Sequence, residues 1–463
     1  ARDDFAEEGG ASTAFLGHLV RPLPLEQAAG IWFGRDYRFP QVGDVVLPAY
    51  ILIVIVTLLF LIGVGFAIYR RWLEPLALLF ATAAPLALLS PLLSPYADAK
   101  LLLVMSPVVV LLAGIGAYAL GQGGWLRRAV AMLAATAVIL GVLGSAAVAY
   151  RDVRLAPSDR MEAMEDAADH ATGGGLWLVN EWDEFARYFM RDIDVNMAFE
   201  AESPEPARLR DPRPIFGQYY DLDEQELAYV DQFPGIIMRR SPVASRPPAN
   251  FEQVHENTYY EVWRRRGGLK VSAHLPLQSQ LDASGTPSCA AVELMAAAAR
   301  PGERLVAARR AEVSLFDTAA ATNRIPGWVL NLSPQPTRTV TPTVAGSESG
   351  SVTTGGGRFR VWLRGSFGRP IGVSVDGRRV GAAGDVNTPG QWLPVGTVAL
   401  AAGEHQVEVS RPETSLAPGD GYRGYIGPVA LQPVNRGELV SVDPERARGL
   451  CGKRWDWIER VRG

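Results

Sequence analysis

Four runs of about 20 residues without a charge, crowded close together, limit this chain more than any other feature. They are Leu47–Tyr69, Pro75–Leu93, Leu101–Leu120 and Ala129–Tyr150. As a helix, each is long enough to cross ~30 Å of hydrocarbon. A soluble core has no use for four such helices in succession. The sequence therefore predicts a polytopic α-helical membrane domain with four transmembrane helices. The remaining chain has ordinary soluble composition.

Orientation follows from the short turns. Tyr69-Arg70-Arg71-Trp72 and Trp125-Leu126-Arg127-Arg128 each carry paired arginines, as cytoplasmic turns do. This places residues 1–46, the loop at 94–100 and everything after 150 outside. Arg35, Arg38, Lys100, Arg151 and Arg154 weigh the other way, and the cysteines of the soluble part favour the outside assignment.

The soluble part divides by pattern. Residues 151–266 predict a small extracytoplasmic α/β unit, with a helix at Asp159–Ala171 and strands at Leu176–Val179, Gly235–Met238 and Tyr259–Trp263. Gly173-Gly174-Gly175 precedes a strand, whereas a phosphate loop follows one, so it reads as a linker turn. Residues 267–310 predict a helical connector built on Ala290–Arg300. Residues 311–436 alternate with period two: Phe359, Val361 and Leu363 share one strand face, and Arg358, Arg360, Trp362 and Arg364 the other. Asp376-Gly377 is a hairpin signal, and Ala402-Gly403-Glu404 reads as the turn of a second hairpin. The pattern is that of a β-sandwich, jelly-roll-like, with a tail at 437–463.

Chemistry is sparse. Net charge is −4, which offers no field for nucleic acid. The histidines His18, His170, His255, His274 and His405 show no metal-ligand spacing, so no metal and no cofactor is expected. Cys289 and Cys451 are an even pair in an exported part and invite a disulfide; two buried thiols are the alternative. Trp362, between Arg360 and Arg364, suits stacking on a sugar ring, unless it packs between strands or under the preceding domain. Asn387, Gln391 and Trp392 form a second glycan candidate. Between the second and third runs, Tyr96, Asp98 and Lys100 lie at the membrane interface. They are either an aromatic and lysine anchor or a site for a lipid phosphate.

Several runs together carry a resemblance: Gly30-Ile31-Trp32-Phe33-Gly34-Arg35-Asp36-Tyr37-Arg38-Phe39, Tyr96-Ala97-Asp98-Ala99-Lys100, Arg239-Arg240-Ser241-Pro242-Val243-Ala244-Ser245-Arg246-Pro247-Pro248, Tyr259-Tyr260-Glu261-Val262-Trp263, Ser366-Phe367-Gly368 with Asp376-Gly377-Arg378, and Leu450-Cys451-Gly452. The chain resembles the C-terminal half of actinobacterial GT-C-like polytopic membrane glycosyltransferases. The resemblance implies a cell-envelope transferase that takes a sugar from a polyprenyl phosphate on the outer face, with membrane lipids and an envelope glycan as partners. It also implies a catalytic carboxylate in an early outer loop, ahead of this chain, so no catalytic residue is assigned. Asp3 and Asp4 read as a solvated pair. The rival expectation is a non-catalytic membrane anchor presenting a carbohydrate-binding sandwich. A transporter is disfavoured, because no charge lies within a span.

Overall fold

The computed structural model describes residues 19, 21–34, 36–153, 158–181, 185–198, 203–211, 220–277, 285–310, 312–321, 323–331, 338–385, 391–413, 415, 417–421, 424–434 and 438–463. The chain divides into two units, Ala1–Val153 with Leu416–Gly421, and Arg154–Ser415 with Tyr422–Gly463.

The first unit is helical: α1 (Val46–Arg70), α2 (Leu73–Leu89), α3 (Pro95–Gly121) and α4 (Trp125–Asp152). Among the described residues, three helices are long and apolar enough to cross a membrane: Gly43–Arg70, Pro95–Gly121 and Trp125–Asp152. The expected span Pro75–Leu93 departs from this. Its helix, α2, has 17 residues and gives way to a 3-10 turn at Ser90–Leu92. At 1.5 Å per residue α2 is about 26 Å long, short of the ~30 Å of hydrocarbon.

The expected loop at 94–100 is also helix. Ser94 caps α3, its hydroxyl accepting from the Ala97 amide, and Pro95 takes the first helical position, where its missing N–H is harmless. Tyr96, Asp98 and Lys100 therefore ride on the first turns of α3. Residues before α1 are more than an outer loop. After a 3-10 turn at Leu25–Ala29, Ile31 is buried among Ile53, Val56, Leu59, Ala113 and Val138. Non-helical backbone between apolar helices needs partners. Ser145 Oγ accepts from Trp32 N at 2.8 Å and Gln41 Oε1 from Phe33 N at 2.9 Å. Helices α1 and α3 touch backbone to backbone: a Cβ on Gly63 would fall on the Leu112 carbonyl, and one on Gly116 on that of Leu59.

The second unit contains three β-structures. The first places α5 (Ser158–Asp169) on a five-stranded sheet made of β1 (Trp177–Asn180), β2 (Val195–Met197), β3 (Gly235–Arg239), β4 (Phe251–Glu256) and β5 (Tyr260–Arg265), in the order β2-β1-β3-β5-β4. Single helical turns, α6 (Ala186–Phe189) and α7 (Leu227–Val230), complete it. β1 pairs parallel with β2 and β3, and the other pairs are antiparallel. Both faces are covered. Met161, Met164 and Ala167 of α5 pack on Trp177, Val179 and Val262, while Leu178, Ile236 and Trp263 meet Tyr229 and Phe233 on the other side. Gly173, Gly174 and Gly175 all have positive φ in the turn before β1.

The connector and the tail are not separate pieces. β6 (Lys270–Pro276), α8 (Cys289–Ala297) and β7 (Arg304–Arg309) combine with strands from beyond the sandwich, introduced below, into one four-stranded sheet. Between them the chain builds the sandwich from β8 (Ser314–Phe316), β9 (Trp328–Asn331), β10 (Thr339–Pro342), β11 (Gly346–Val375), β12 (Arg378–Asp385), β13 (Trp392–Arg411) and β14 (Tyr425–Pro433). β11 pairs with β13 twice, first along Gly346–Arg364 and, after a break, through Gly372–Val375. The sheet thus doubles over a core of Phe359, Val361, Leu363, Val373, Val407, Val409 and Leu431. Asp376 and Gly377 (φ 50° and 73°) make the expected turn between β11 and β12. The second expected hairpin is absent: Ala402-Gly403-Glu404 lies within β13, paired with Thr353–Gly355. Gly403 supplies a positive φ of 139° within the strand, and it is Gly356 on β11 that lies tight against the Ala402 backbone.

β15 (Leu439–Val442) and β16 (Trp455–Arg462) then join the waiting strands in the order β15-β7-β16-β6. Val292 of α8, Leu305, Leu450, Trp455 and Ile458 form their core. Cys289 and Cys451 are joined in a disulfide, their Cα atoms 5.3 Å apart.

Candidate functional site

The segment that follows β3 is extended because it cannot pair. Pro242, Pro247 and Pro248 donate no amide hydrogen, and each holds the residue before it away from helix. It is pinned instead by acceptors from other elements. Asp221 Oδ2 accepts from Ser245 N at 2.8 Å, Glu459 Oε2 from Ala249 N at 2.7 Å, and the Arg246 carbonyl from Trp457 Nε1 at 2.7 Å. Held this way, the segment lines one wall of a narrow cleft. The ends of β7, β14 and β16 supply Arg309 and Arg310, Gln432 and Pro433, and Asp456.

Five arginines line this cleft: Arg239, Arg240, Arg246, Arg309 and Arg310. Arg239 Nη1 meets Glu181 at 3.0 Å, Arg240 Nη2 meets Glu256 at 2.8 Å, and Arg310 Nη1 meets Asp456 at 2.8 Å. Three guanidinium groups also lie over indoles. Arg240 is 5.6 Å from the centroid of Trp362, Arg246 5.3 Å from that of Trp263, and Arg309 6.0 Å from that of Trp455. Such stacking occupies the flat face of a guanidinium, and the edge of Arg240 is engaged by Glu256 and by the carbonyls of Asn257 and Thr258. Among the described residues Arg309 has no carboxylate partner, and it is exposed. Burial pushes the carboxyls of Asp456 and Glu459 above the usual range, and burial with Asp223 nearby raises Asp221 to about 6.

Behind the cleft lies a buried ionic cluster. His274 Nδ1 is 2.6 Å from Glu459 Oε1, and its Nε2 is 2.7 Å from Asp223 Oδ1. Burial alone would lower the pKa of this imidazole. Hydrogen bonds to Asp223 and Glu459 outweigh it and raise the value to about 9. His274 is thus an imidazolium that ties β6 to β16 and to the 3-10 turn at Leu222–Glu224.

The sequence candidates fall elsewhere. Trp362 is buried, packed with Trp392 and Ala430 against Val243 and Val313, and its Nε1 donates to Gln432 Oε1 at 3.1 Å. The face that alternation exposes is covered by the segment after β3, so neither indole is open for stacking. Arg360 pairs with Glu256 at 2.9 Å. Arg364 is buried, which lowers its pKa, and the buried Gln391 leaves its Nε2 without a partner. Asn387 lies outside the described residues. On α3, Asp98 Oδ2 accepts from Ser90 Oγ at 2.9 Å, and Lys100 Nζ lies 4.5 Å from the ring of Tyr96. In the sequence the cleft is foreshadowed by the run Arg239–Pro248, one of the segments that carry the resemblance.

No family model matches this chain, and no curated protein matches it. Solved structures that match include a Podospora anserina GH26-CBM35 β-(1,4)-mannanase, with 11% identity and a TM-score of 0.22, over 27% of this chain and 28% of that one. A carbohydrate-binding module CBM36 in complex with calcium and xylotriose has 10% identity and a TM-score of 0.22, over 26% of this chain and 98% of its own. A family two carbohydrate esterase from Cellvibrio japonicus has 17% identity and a TM-score of 0.18, over 28% of this chain and 34% of that one. At such TM-scores these likenesses carry no inference about ligand or reaction.

Proposed function

We propose that this is a membrane-held protein of the cell envelope whose second unit, on the outer side, binds an anionic glycan in the arginine cleft. The observation that carries the reading is the convergence of five arginines on one cleft, with two carboxylates, Glu261 and Asp456, in its lining. A uronate or phosphate substituent offers the planar or tripodal oxygens that guanidinium edges recognise. The Trp455 indole that backs the exposed Arg309 preorganises its edge. Neutral sugars gain nothing from such a site. The full-length protein in detergent, titrated with an acidic oligosaccharide, should bind it in a salt-sensitive way and lose about tenfold in affinity in Arg309→Ala. Equal binding of a neutral oligosaccharide of the same length rejects the reading.

The chain then suits the acceptor-binding end of a glycosyltransferase that uses a polyprenyl-phosphate sugar. Asp98 favours a donor site on α3, since its Oδ1, buried without a hydrogen-bond partner, can accept from a sugar hydroxyl of the donor while Lys100, two residues on, offers its charge to the phosphate. Sugar transfer by the complete enzyme should then show a raised KM for the lipid donor in Lys100→Ala. Wild-type transfer at sub-saturating donor in both Lys100→Ala and Asp98→Asn removes this second reading.

A further inference from the structure

We propose that Asp166, His170 and His255 form a site for a divalent transition-metal ion of the imidazole-preferring kind, such as Zn2+, Ni2+ or Cu2+. Asp166 lies in the last turn of α5 and His170 just past its end, four residues on. β4, the edge strand of the five-stranded sheet, brings His255 against them. One ligand atom from each residue lies within 4.8 Å of the others. Tetrahedral coordination at about 2.0–2.1 Å puts donor atoms some 3.3 Å apart, which side-chain rotation supplies.

The surroundings prepare these groups as ligands. His170 Nδ1 is 2.8 Å from the backbone carbonyl of Asp166. A carbonyl only accepts, so this contact puts a proton on Nδ1 and assigns Nε2 as the nitrogen that can ligate. Metal-bound histidines are held in the same way, their other ring N–H donated to a carbonyl or carboxylate. His255 Nε2 sits 2.8 Å from Asp166 Oδ2, where a metal ion replaces the shared proton. Asn257 fixes the carboxylate: its Nδ2 donates at 2.8 Å to both Asp166 Oδ2 and the Ala163 carbonyl. Asn257 is itself locked, since its Oδ1 accepts from the amides of Tyr259 and Tyr260 at 3.0 and 2.8 Å.

The two imidazole rings stack face to face, centroids 3.6 Å apart and planes within 5°. Parallel rings cannot both aim a lone pair at one point, so the ion must splay them, which holds the affinity to a moderate, exchangeable range. The side chains of Asp166 and His170 are each 45% exposed and that of His255 22%. Solvent therefore reaches the ion and fills its remaining positions. Bound, it fastens α5 to the sheet edge.

The test uses the full-length protein in detergent after treatment with chelator, with Zn2+ followed by calorimetry and Co2+ by visible absorption. One ion per chain, a raised melting temperature and the absorption bands of nitrogen and oxygen coordination are expected. His170→Ala and His255→Ala should each weaken binding about tenfold or more, while His405→Ala, on the sandwich, should not. Mg2+ and Ca2+ should not compete, because imidazole suits neither. No saturable binding overturns the proposal, as does unchanged binding in the folded His170→Ala/His255→Ala double variant.

Discussion

Arg240 lies over the indole of Trp362, its guanidinium carbon 5.6 Å from the ring centroid. The pair joins the five-stranded sheet to the sandwich, and with Val243 and Val313 it seals the indole from water. Truncation should therefore act on stability. Trp362→Ala is expected to lower the free energy of unfolding by about 3–5 kcal/mol, read by denaturant titration of the second unit's fluorescence. A variant of native stability would show that the indole is not a core group.

His274 links stability to pH. Its folded pKa of about 9 exceeds the ordinary 6.5, so the folded state holds the proton more tightly. The stabilisation is complete below about 6.5 and is lost as pH rises through 9. The urea midpoint should fall between neutrality and pH above 9, and His274→Gln should flatten that fall. His274→Ala leaves Asp223 and Glu459 buried without their counter-charge, at a loss of about 3–5 kcal/mol.

The Cys289–Cys451 bridge has a sequence separation of 162 residues. Chain entropy sets its contribution at no more than about 5 kcal/mol. Cys451→Ser should lower the melting temperature of the second unit, and reductant should do the same to wild type. Non-reducing peptide mapping should recover the two cysteines as one linked peptide.

Gly116 lies against the backbone of α1, whereas Gly114, on the same helix, faces open space. Gly116→Val should push α1 from α3 and lower thermal stability in detergent by about 1–3 kcal/mol. Gly114→Val should leave it unchanged.

If the Arg127-Arg128 turn is cytoplasmic, Gly124 lies inside and Gly268, one span later, outside. Alkaline phosphatase fused at Gly268 should be active and at Gly124 inactive. The reverse result would put the arginine cleft in the cytoplasm.

What could be read in the sequence was what depends on near neighbours. Uncharged runs of about 20 residues announce helices because a helix of that length satisfies its own backbone across the hydrocarbon, and Asp376-Gly377 announces a turn because few residues adopt positive φ. Ser94-Pro95 is an equally local start signal, hidden because the charges of Asp98 and Lys100 suggested a loop. The alternation of Phe359–Arg364 was legible, but not the segment around Val243 that covers its polar side. His170 and His255 look scattered in one dimension, and only the packing of α5 on the sheet brings their rings together. The arginines of the cleft come from strands that meet only after folding.

β16 runs between β6 and β7, strands made before the sandwich begins. No sheet can close around a missing central strand, so β6 and β7 must wait for residues 455–462 to emerge. The sandwich can take shape on the growing chain, but the layer next to it stays open until synthesis has passed that point. Until then its apolar surface, Leu305 and Ala307 among it, is offered to chaperones and proteases. Chains cut short by a premature stop or a nick would be marked for clearance by that exposed sheet.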